Sequence, residues 1–190
     1  MGVVSRFLAN PGKQHWQAVK WILRYLKCTS HYCLCFGHDE NVLEGFTDAD
    51  MAGDMDTRNS TTGYLYTFSG VAVSWASRLQ RIVALSTTEA EYIAATETCK
   101  EMLWMQRFLG EIGIKQDKFV LYCDSQSSIH LEKNPAFHSK TKHIDLRYHW
   151  IWHVLEKEHL SLEKIHIDRK LADMLTKILP RNKHELLEAR

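Results

Sequence analysis

The chain has 190 residues, of which 45% are hydrophobic and 25% are charged, and its 24 Lys and Arg residues almost balance its 23 Asp and Glu residues. This composition excludes a low-complexity chain and predicts one globular domain with a small appendage, while the net charge indicates no particular partner. No stretch is apolar enough to span a membrane and the five cysteines form no paired framework, so we expect an intracellular protein with reduced thiols.

The charges are unevenly distributed along the chain. Acidic residues crowd the stretch 39–56, which contains no Lys or Arg, whereas 133–183 is rich in basic residues, among them Lys140, Lys142, Arg147 and Lys170. An acidic pocket beside a basic surface is typical of a metal site that handles a polyanion. Two solvated faces of opposite charge account for the pattern equally well.

The first predicted element is an N-terminal helix. Apolar side chains at Trp16, Val19, Ile22 and Leu26 have helical spacing, and they follow the turn signal "NPG". We expect a separate helix here, and then a loose segment that contains Cys and His residues.

The rest of the chain alternates strands and helices. Three strand signals separated by Gly, Asn and Ser turns predict an antiparallel meander at 45–53, 63–70 and 71–86. Then come a long helix from about 87 to 112, a strand at 118–125, helical stretches at 125–135 and 142–158, a strand at 160–167, and a helix from about Arg169. This order predicts a mixed α/β fold whose later strands run parallel to the first.

Asp48 lies in the middle of the first predicted strand. Phe46, Asp48 and Asp50 share one face of that strand, so a carboxylate occupies a position expected for a core side chain. A lone buried carboxylate is costly unless something pairs with it. A calcium-binding EF-hand loop is excluded, because Ala52 and Asn59 replace two of its ligands and a strand precedes the loop.

Three more carboxylates are candidates for the same site. Glu89 belongs to a helix-capping motif with Ser86, whereas Glu91 falls on the apolar stripe that should pack on the sheet. Asp124 ends a strand, where α/β proteins place ligand sites, and Asp173 lies one turn into the last helix. The alternatives are a first-turn acid for Glu91, an N-cap for Asp124 and a solvated face for Asp173.

Four carboxylates on one sheet edge would repel each other unless divalent cations neutralise them. Hard oxygen ligands favour Mg²⁺ or Mn²⁺. Two such ions about 4 Å apart promote phosphodiester cleavage. The pattern therefore predicts a metal-dependent nuclease in which Asp48 is a central ligand.

Seven motifs between about residues 44 and 185 carry a family resemblance. They are "GFTDADMAGD", "NSTTGYLYTFSG", "VSWASRLQ", "ALSTTEAEYIAATE", "YCDSQSSIHLEKNP", "TKHIDLRYHWI" and "ADMLTKILP". As a set they resemble the ribonuclease H domain of copia-type (Ty1/copia, pseudoviral) retrotransposon Pol polyproteins, in particular those of plant Tnt1-type elements. The stretch "VVSRFLANPGKQHWQAVKWILRYLK" is similar to the segment that joins reverse transcriptase to ribonuclease H.

The resemblance implies a ribonuclease H-like fold: a mixed sheet of five strands in the order 3-2-1-4-5, with the first three antiparallel and helices flanking the sheet. Residues 1–43 would be a C-terminal remnant of the reverse transcriptase or connection region, 44–185 the ribonuclease H domain and 186–190 a tail. The chain would then be a fragment of a longer polyprotein.

The resemblance also implies an activity. Asp48, Glu91, Asp124 and Asp173 would be the catalytic residues and would bind two Mg²⁺ ions, for which Mn²⁺ can substitute. The enzyme would cleave the RNA strand of an RNA–DNA hybrid during reverse transcription, by two-metal-ion hydrolysis. Its partners would be the hybrid and the reverse transcriptase portion of the polyprotein, and not a membrane. Its location would be a cytoplasmic virus-like particle. His166, seven positions before Asp173, would assist product release.

Substrate contacts are expected on two polar stretches and on the basic surface, because a hybrid offers 2′-hydroxyls and phosphates. The candidates are Asn59, Ser60, Thr61, Thr62, Trp75, Arg78, Gln80 and Lys142. Each of these residues is equally typical of an ordinary polar turn or exposed strand, and Trp75 is also typical of a hydrophobic core.

Three other interpretations of these residues compete with a hybrid-cleaving nuclease. A zinc site built from His149 and His153 with the cysteines lacks the usual paired-cysteine spacing. A transposase-type nuclease would have its Glu last, whereas Glu91 comes second in the order of carboxylates. A non-catalytic, co-opted or relic fragment that binds nucleic acid is the remaining alternative.

Overall fold

The structure, a computed structural model, describes residues 2–35, 41–116, 118–124, 160–166, 169–180 and 182. The helices expected at 125–135 and 142–158 lie outside these residues, as do Lys142, His149 and His153. The chain divides into two compact units, residues 1–35 and 36–190. The segment boundary expected after residue 43 stays a prediction.

The first unit contains two helices, α1 (Gly2–Ser5) and α2 (Lys13–Cys28). The expected N-terminal helix is thus confirmed; it starts after Gly12, whose backbone N–H donates a hydrogen bond to His15 Nδ1 at 2.9 Å. No residue of α2 is buried. None of the helices in the described part of the chain is long and apolar enough to cross a membrane.

The second unit is built on a sheet with the strand order β3-β2-β1-β4-β5. The strands are β1 (Leu43–Ala49), β2 (Thr61–Phe68), β3 (Val71–Leu79), β4 (Phe119–Cys123) and β5 (Leu160–Lys164). The first three pair in antiparallel fashion, and β4 and β5 run parallel to β1. The mixed α/β class, the meander and the parallel later strands are all confirmed.

One face of the sheet is covered by the long helix α3 (Thr87–Glu111). Its buried side chains pack on Leu43, Tyr66 and Leu121 from three adjacent strands. Gly45 makes this packing possible, because a Cβ there would lie 2.7 Å from the Tyr66 ring and 2.9 Å from Leu121. Helix α3 therefore lies close to β1.

A short helix, α4 (Asp173–Thr176), lies on the sheet at β2 and β1. Gly63 of β2 permits this approach, since a Cβ there would lie 2.6 Å from the Thr176 side chain. The helix expected from about Arg169 is present, but its α-helical part begins only at Asp173. Ala172, just before it, packs with Phe46 and Leu65 in a small apolar cluster.

The third strand is also shorter than expected, since it ends at Leu79 and not near residue 86. Gln80 ends the ladder because its buried side chain turns inward and donates to Thr62 Oγ1 at 3.1 Å and to the Ala90 carbonyl at 2.8 Å. These two bonds join β2 to the first turn of α3.

Candidate active site

Asp48 sits inside β1, opposite Gly63 of β2, and its side chain is fully buried. Because side chains alternate across a strand, Asp48 shares the α4 side of the sheet with Phe46. The glycine opposite leaves room for α4, and Thr176 of that helix donates a hydrogen bond to Asp48 Oδ2. The buried carboxylate is thus paired, as its position in the strand demanded.

The two glutamates at the start of α3 have different surroundings. Ser86 Oγ accepts a hydrogen bond from the Glu89 N–H at 3.1 Å, and Glu89 Oε2 accepts one from the Leu85 N–H at 2.7 Å, so Glu89 caps the helix. Glu91 is buried and lies toward the end of the sheet. Its Oε2 has no hydrogen-bond partner among the residues that the structure describes.

Asp124 directly follows β4, and Asp173 is the first residue of α4. Because β1 and β4 are parallel neighbours, Asp124 comes out beside Asp48 at the same sheet edge. Carboxylate oxygens of Asp48, Asp124 and Asp173 lie within 4.8 Å of one another. Glu91 and Asp124 form a second such group together with the Cys123 thiol.

The four carboxylates surround the ammonium group of Lys170, which is fully buried. Lys170 Nζ donates to Asp48 and lies 2.8 Å from Asp124 Oδ1, 3.9 Å from Glu91 Oε1 and 3.9 Å from Asp173 Oδ1. The structure therefore brings all four expected site residues together. It also corrects the interpretation of Lys170 as part of a basic surface.

Lys177 contacts the same cluster from its solvent side. Its Nζ lies 3.1 Å from Asp48 Oδ1 and 3.2 Å from Asp173 Oδ1, and its side chain is 44% exposed. Sequence reasoning missed Lys170, Thr176 and Lys177. The spacing of Lys177 four residues after Asp173 was the one usable signal, because such a pair shares a helix face.

The electrostatics of the site follow from its burial. The pKa of Glu91 is raised to about 8, chiefly by burial; Lys170 lowers it, and Asp48 and Asp124 raise it. Burial alone would lower the pKa of Lys170, but Glu91 and Asp48 outweigh it and hold the pKa above the ordinary lysine value.

Several expected substrate-binding side chains serve the fold's own hydrogen bonds. Ser60, Thr62 and Gln80 are buried. Ser60 Oγ accepts from the Ala52 N–H at 3.1 Å, while Asn59 Nδ2 donates to the Gln80 carbonyl at 3.0 Å. Thr61, which is half-buried, is held through its backbone N–H by Asp50. These residues shape the loop beside the carboxylates.

Trp75 and Arg78 are exposed on the edge strand β3, and the Trp75 side chain is 60% exposed. The strand register places Trp75 opposite Leu65, which is itself opposite Phe46. Directly paired residues share a sheet face, so the indole stands on the same side of the sheet as Asp48. Trp75 is therefore a surface residue and not a core residue.

His166 follows β5 and is exposed. It lines a cavity of about 420 Å³ together with Tyr122, Lys164 and Arg169. For zinc, the described cysteines bring only Cys33 and Cys35 close, with their sulfur atoms 3.7 Å apart. The histidines invoked for that site lie outside the described residues.

Comparison with known proteins gives several strong sequence relatives, although no protein-family model matches the chain. The retrovirus-related Pol polyprotein from transposon TNT 1-94 of Nicotiana tabacum is 64% identical over 186 residues, 98% of this chain and 14% of that protein. The Pol polyprotein from transposon RE1 of Arabidopsis thaliana is 38% identical over 180 residues, 94% of this chain and 12% of that protein. The chain thus spans a small part of the length of both relatives.

A solved structure shares the fold. The LC11 ribonuclease H1 isolated from compost by a metagenomic approach superposes with a TM-score of 0.51, over 79% of this chain and 98% of that chain. The two sequences are 17% identical, so the likeness concerns the fold alone.

Proposed function

We propose that this chain, whose close sequence relatives are segments of copia-type retrotransposon Pol polyproteins, is a metal-dependent endonuclease that cleaves the RNA strand of RNA–DNA hybrids during reverse transcription. The observation that carries this proposal is the convergence of Asp48, Glu91, Asp124 and Asp173 at one edge of a ribonuclease H-type sheet. Asp48 lies in β1, Asp124 directly follows β4, Glu91 lies in α3 and Asp173 lies in α4. Gly45 and Gly63 allow the two helices to pack closely on the sheet, which brings these carboxylates together.

The donor atoms fit divalent cations. The hard carboxylate oxygens of Asp48, Asp124 and Asp173 lie within 4.8 Å of one another, and Glu91 lies as close to Asp124 and the Cys123 thiol. The buried Glu91 Oε2 still lacks a hydrogen-bond partner in the described part of the chain. Asp48, Asp124 and Asp173 would hold one Mg²⁺ or Mn²⁺ ion, and Glu91 with Asp124 would hold a second. Such ions, when bound, stabilise the charge that develops on a phosphodiester under attack.

The chain's own residues then position the substrate. Trp75 offers an exposed aromatic face on the carboxylate side of the sheet, two strands and hence roughly 10 Å from β1. Aromatic rings of this kind stack on bases or pack on sugars. Arg78 and Lys142 would supply positive charge for the phosphates, and Thr61 and Asn59 would hold the loop beside the carboxylates.

The reverse transcriptase portion of the same polyprotein would be the natural partner, because the relatives are several times longer than this chain. Residues 1–43 would be a remnant of the region that joins the two, 44–185 the nuclease domain and 186–190 a tail. The complex would work inside a cytoplasmic virus-like particle. His166 would assist product release from its place after β5.

Lys170 favours a second function, that of a non-catalytic fragment that binds nucleic acid. Its ammonium pairs with Asp48 and Asp124, so part of the negative charge of the cluster is balanced without any metal. A relic site of this kind would keep its fold and lose its reaction.

A cleavage assay separates the two functions. We would incubate a labelled RNA strand, in a hybrid with DNA or in duplex RNA, with the wild type and with Asp124→Asn, in Mg²⁺, Mn²⁺ or EDTA. We expect hybrid-only, metal-dependent cleavage by the wild type, and none by the variant, which keeps the shape of the side chain. A folded wild type that binds the hybrid and never cleaves it would establish the non-catalytic function.

A further inference from the structure

The most unusual feature of the site is a buried lysine at its centre. Lys170 Nζ donates to Asp48 and Asp124, and both remaining carboxylates lie 3.9 Å away. The side chain is fully buried, so solvent does not share these contacts. A buried ammonium is stable only when its charge is paired, and here four carboxylates surround it.

An ammonium and a divalent cation need the same surroundings. Both are compact positive charges that prefer carboxylate oxygens, and Lys170 uses the oxygens of Asp48 and Asp124 that would hold a metal ion. Mg²⁺ binds its oxygens at about 2.0–2.1 Å, which places the ion in the space that Nζ occupies. The two cations therefore exclude each other.

The backbone around Lys170 allows the side chain to leave. Lys170 itself has no regular secondary structure: Arg169 before it lies in a 3₁₀ turn, and Leu171 and Ala172 form a turn before α4. The long unbranched stem of lysine can reorient from such a segment without breaking a ladder of backbone hydrogen bonds. Lys177, by contrast, reaches Asp48 and Asp173 from the solvent side and remains 44% exposed.

We propose that Lys170 is an internal counter-cation: it occupies the metal position in the metal-free protein, keeps the carboxylates assembled there, and must swing out before a divalent cation binds. This inference rests on the proposed metal site. Lys170 is then a positioning residue that lowers the affinity of the site for the metal ion. The carboxylates, in turn, are already assembled before the ion binds.

Metal affinity tests the exclusion directly. We would titrate Mn²⁺ into the wild type, Lys170→Met and Lys118→Met, and would follow binding by calorimetry and by the electron paramagnetic resonance of the free ion. We expect Lys170→Met to bind Mn²⁺ about tenfold or more tightly than the wild type, because the competing cation is gone. Lys118→Met, the matched control, removes an exposed ammonium that pairs with Glu163 and not with the site carboxylates, and should change affinity by less than about threefold. Equal or weaker binding by Lys170→Met would overturn the proposal.

Stability in EDTA gives a second readout on the same variants. Removal of Lys170 leaves mutually repelling carboxylates, so we expect Lys170→Met to melt at a lower temperature than the wild type in EDTA and to recover on addition of Mn²⁺. A variant that folds only with the ion would support the proposal in its strongest form. A variant as stable as the wild type in EDTA would count against a structural role for the ammonium.

The wild type alone provides a test that needs no substitution. An amine-acylating reagent followed by peptide mass spectrometry should leave Lys170 unmodified in EDTA and modify it when Mn²⁺ saturates the site. Lys118, whose side chain is 59% exposed, should react equally in both conditions and serves as the internal control. Continued protection of Lys170 at saturating Mn²⁺ would refute the displacement.

The counter-cation role of Lys170 and the metal site itself are refuted by different results. Unchanged affinity in Lys170→Met with clear Mn²⁺ binding by both proteins removes the counter-cation and leaves the metal site in place. Absence of Mn²⁺ binding by either folded protein overturns the metal site, and the counter-cation with it.

Discussion

Two sets of acidic residues lie within one short stretch of this chain and do opposite things. Asp48, inside β1, accepts hydrogen bonds from the side chains of Lys170 and Thr176, which are more than a hundred residues away. Asp50 and Asp54, in the loop after β1, accept from nearby backbone N–H groups, Asp50 from that of Thr61 at the start of β2. Asp54 Oδ1 takes those of Asp56 and Thr57 at 3.0 and 2.9 Å.

The difference lies in partners and not in charge. Loop carboxylates satisfy local backbone donors, and such bonds form wherever a short acid precedes a turn. The site carboxylate gains its partners only when the sheet, α3 and α4 have assembled. A high density of acids in a sequence therefore does not by itself indicate a metal site; what distinguishes Asp48 from the loop acids is its position on a buried strand face.

The largest effect is expected in cleavage activity, when one site acid and one loop acid are each replaced by asparagine. Asp48→Asn should lower the rate of hybrid cleavage by about 10²-fold or more, because a central ligand is lost and each lost 1.4 kcal/mol of transition-state stabilisation is tenfold. Asp54→Asn, which keeps an oxygen acceptor for the turn, should cleave at the wild-type rate. The measurement is single-turnover cleavage of a labelled hybrid.

Circular dichroism should show both variants folded. Equal losses in the two would mean that the loop acid belongs to the site, and the contrast between the sets would collapse. Retained activity in Asp48→Asn would remove the central ligand from the proposed function.

Much of this contrast was accessible from the sequence. Strand alternation placed Asp48 on a buried face, and the helical wheel separated Glu91 from the capping Glu89; the structure shows Glu89 bonded to the Leu85 N–H and Glu91 buried at the sheet end. Both inferences rest on regular periods, which a sequence displays directly. The five-strand order, in contrast, came from family resemblance.

A second test concerns the glutamate pair. Glu91 has a pKa of about 8 in the folded protein against 4.5 for an unperturbed side chain, chiefly because it is buried. The folded state therefore binds this proton more tightly than the unfolded state does, so stability is greatest below about pH 4.5 as far as this group is concerned and falls as the pH rises toward 8. In EDTA, we expect Glu91→Gln to flatten that fall, which amounts to a few kcal/mol at most.

Chemical denaturation in EDTA at pH 5, 6, 7 and 8 measures the slope. Glu89→Gln is the control: it retains an oxygen that can accept the Leu85 N–H and should keep the wild-type slope. Parallel curves for the wild type and Glu91→Gln would show that Glu91 ionises normally and is not held in a dry environment.

Lys170 shows where sequence reasoning stops. It lies on an irregular segment, where no helical or strand period tells inside from outside, and lysine is rarely buried. Its neighbours Leu171 and Ala172 are apolar, but that is a weak signal. Only the joint arrival of β1, α3, β4 and α4 at one point creates the negative field that draws an ammonium inward.

The smallest effect is expected when a loop acid loses its oxygen acceptors. Asp54→Ala removes the acceptor of two backbone N–H groups at the turn, and should lower the free energy of unfolding by about 1 kcal/mol. Because Asp54 contributes no oxygen to the carboxylate groups around Lys170, Mn²⁺ affinity should equal that of the wild type. Urea denaturation and Mn²⁺ titration of the same preparation measure both quantities. A loss of affinity with unchanged stability would reverse the assignment, and would make the loop part of the metal site and not merely its border.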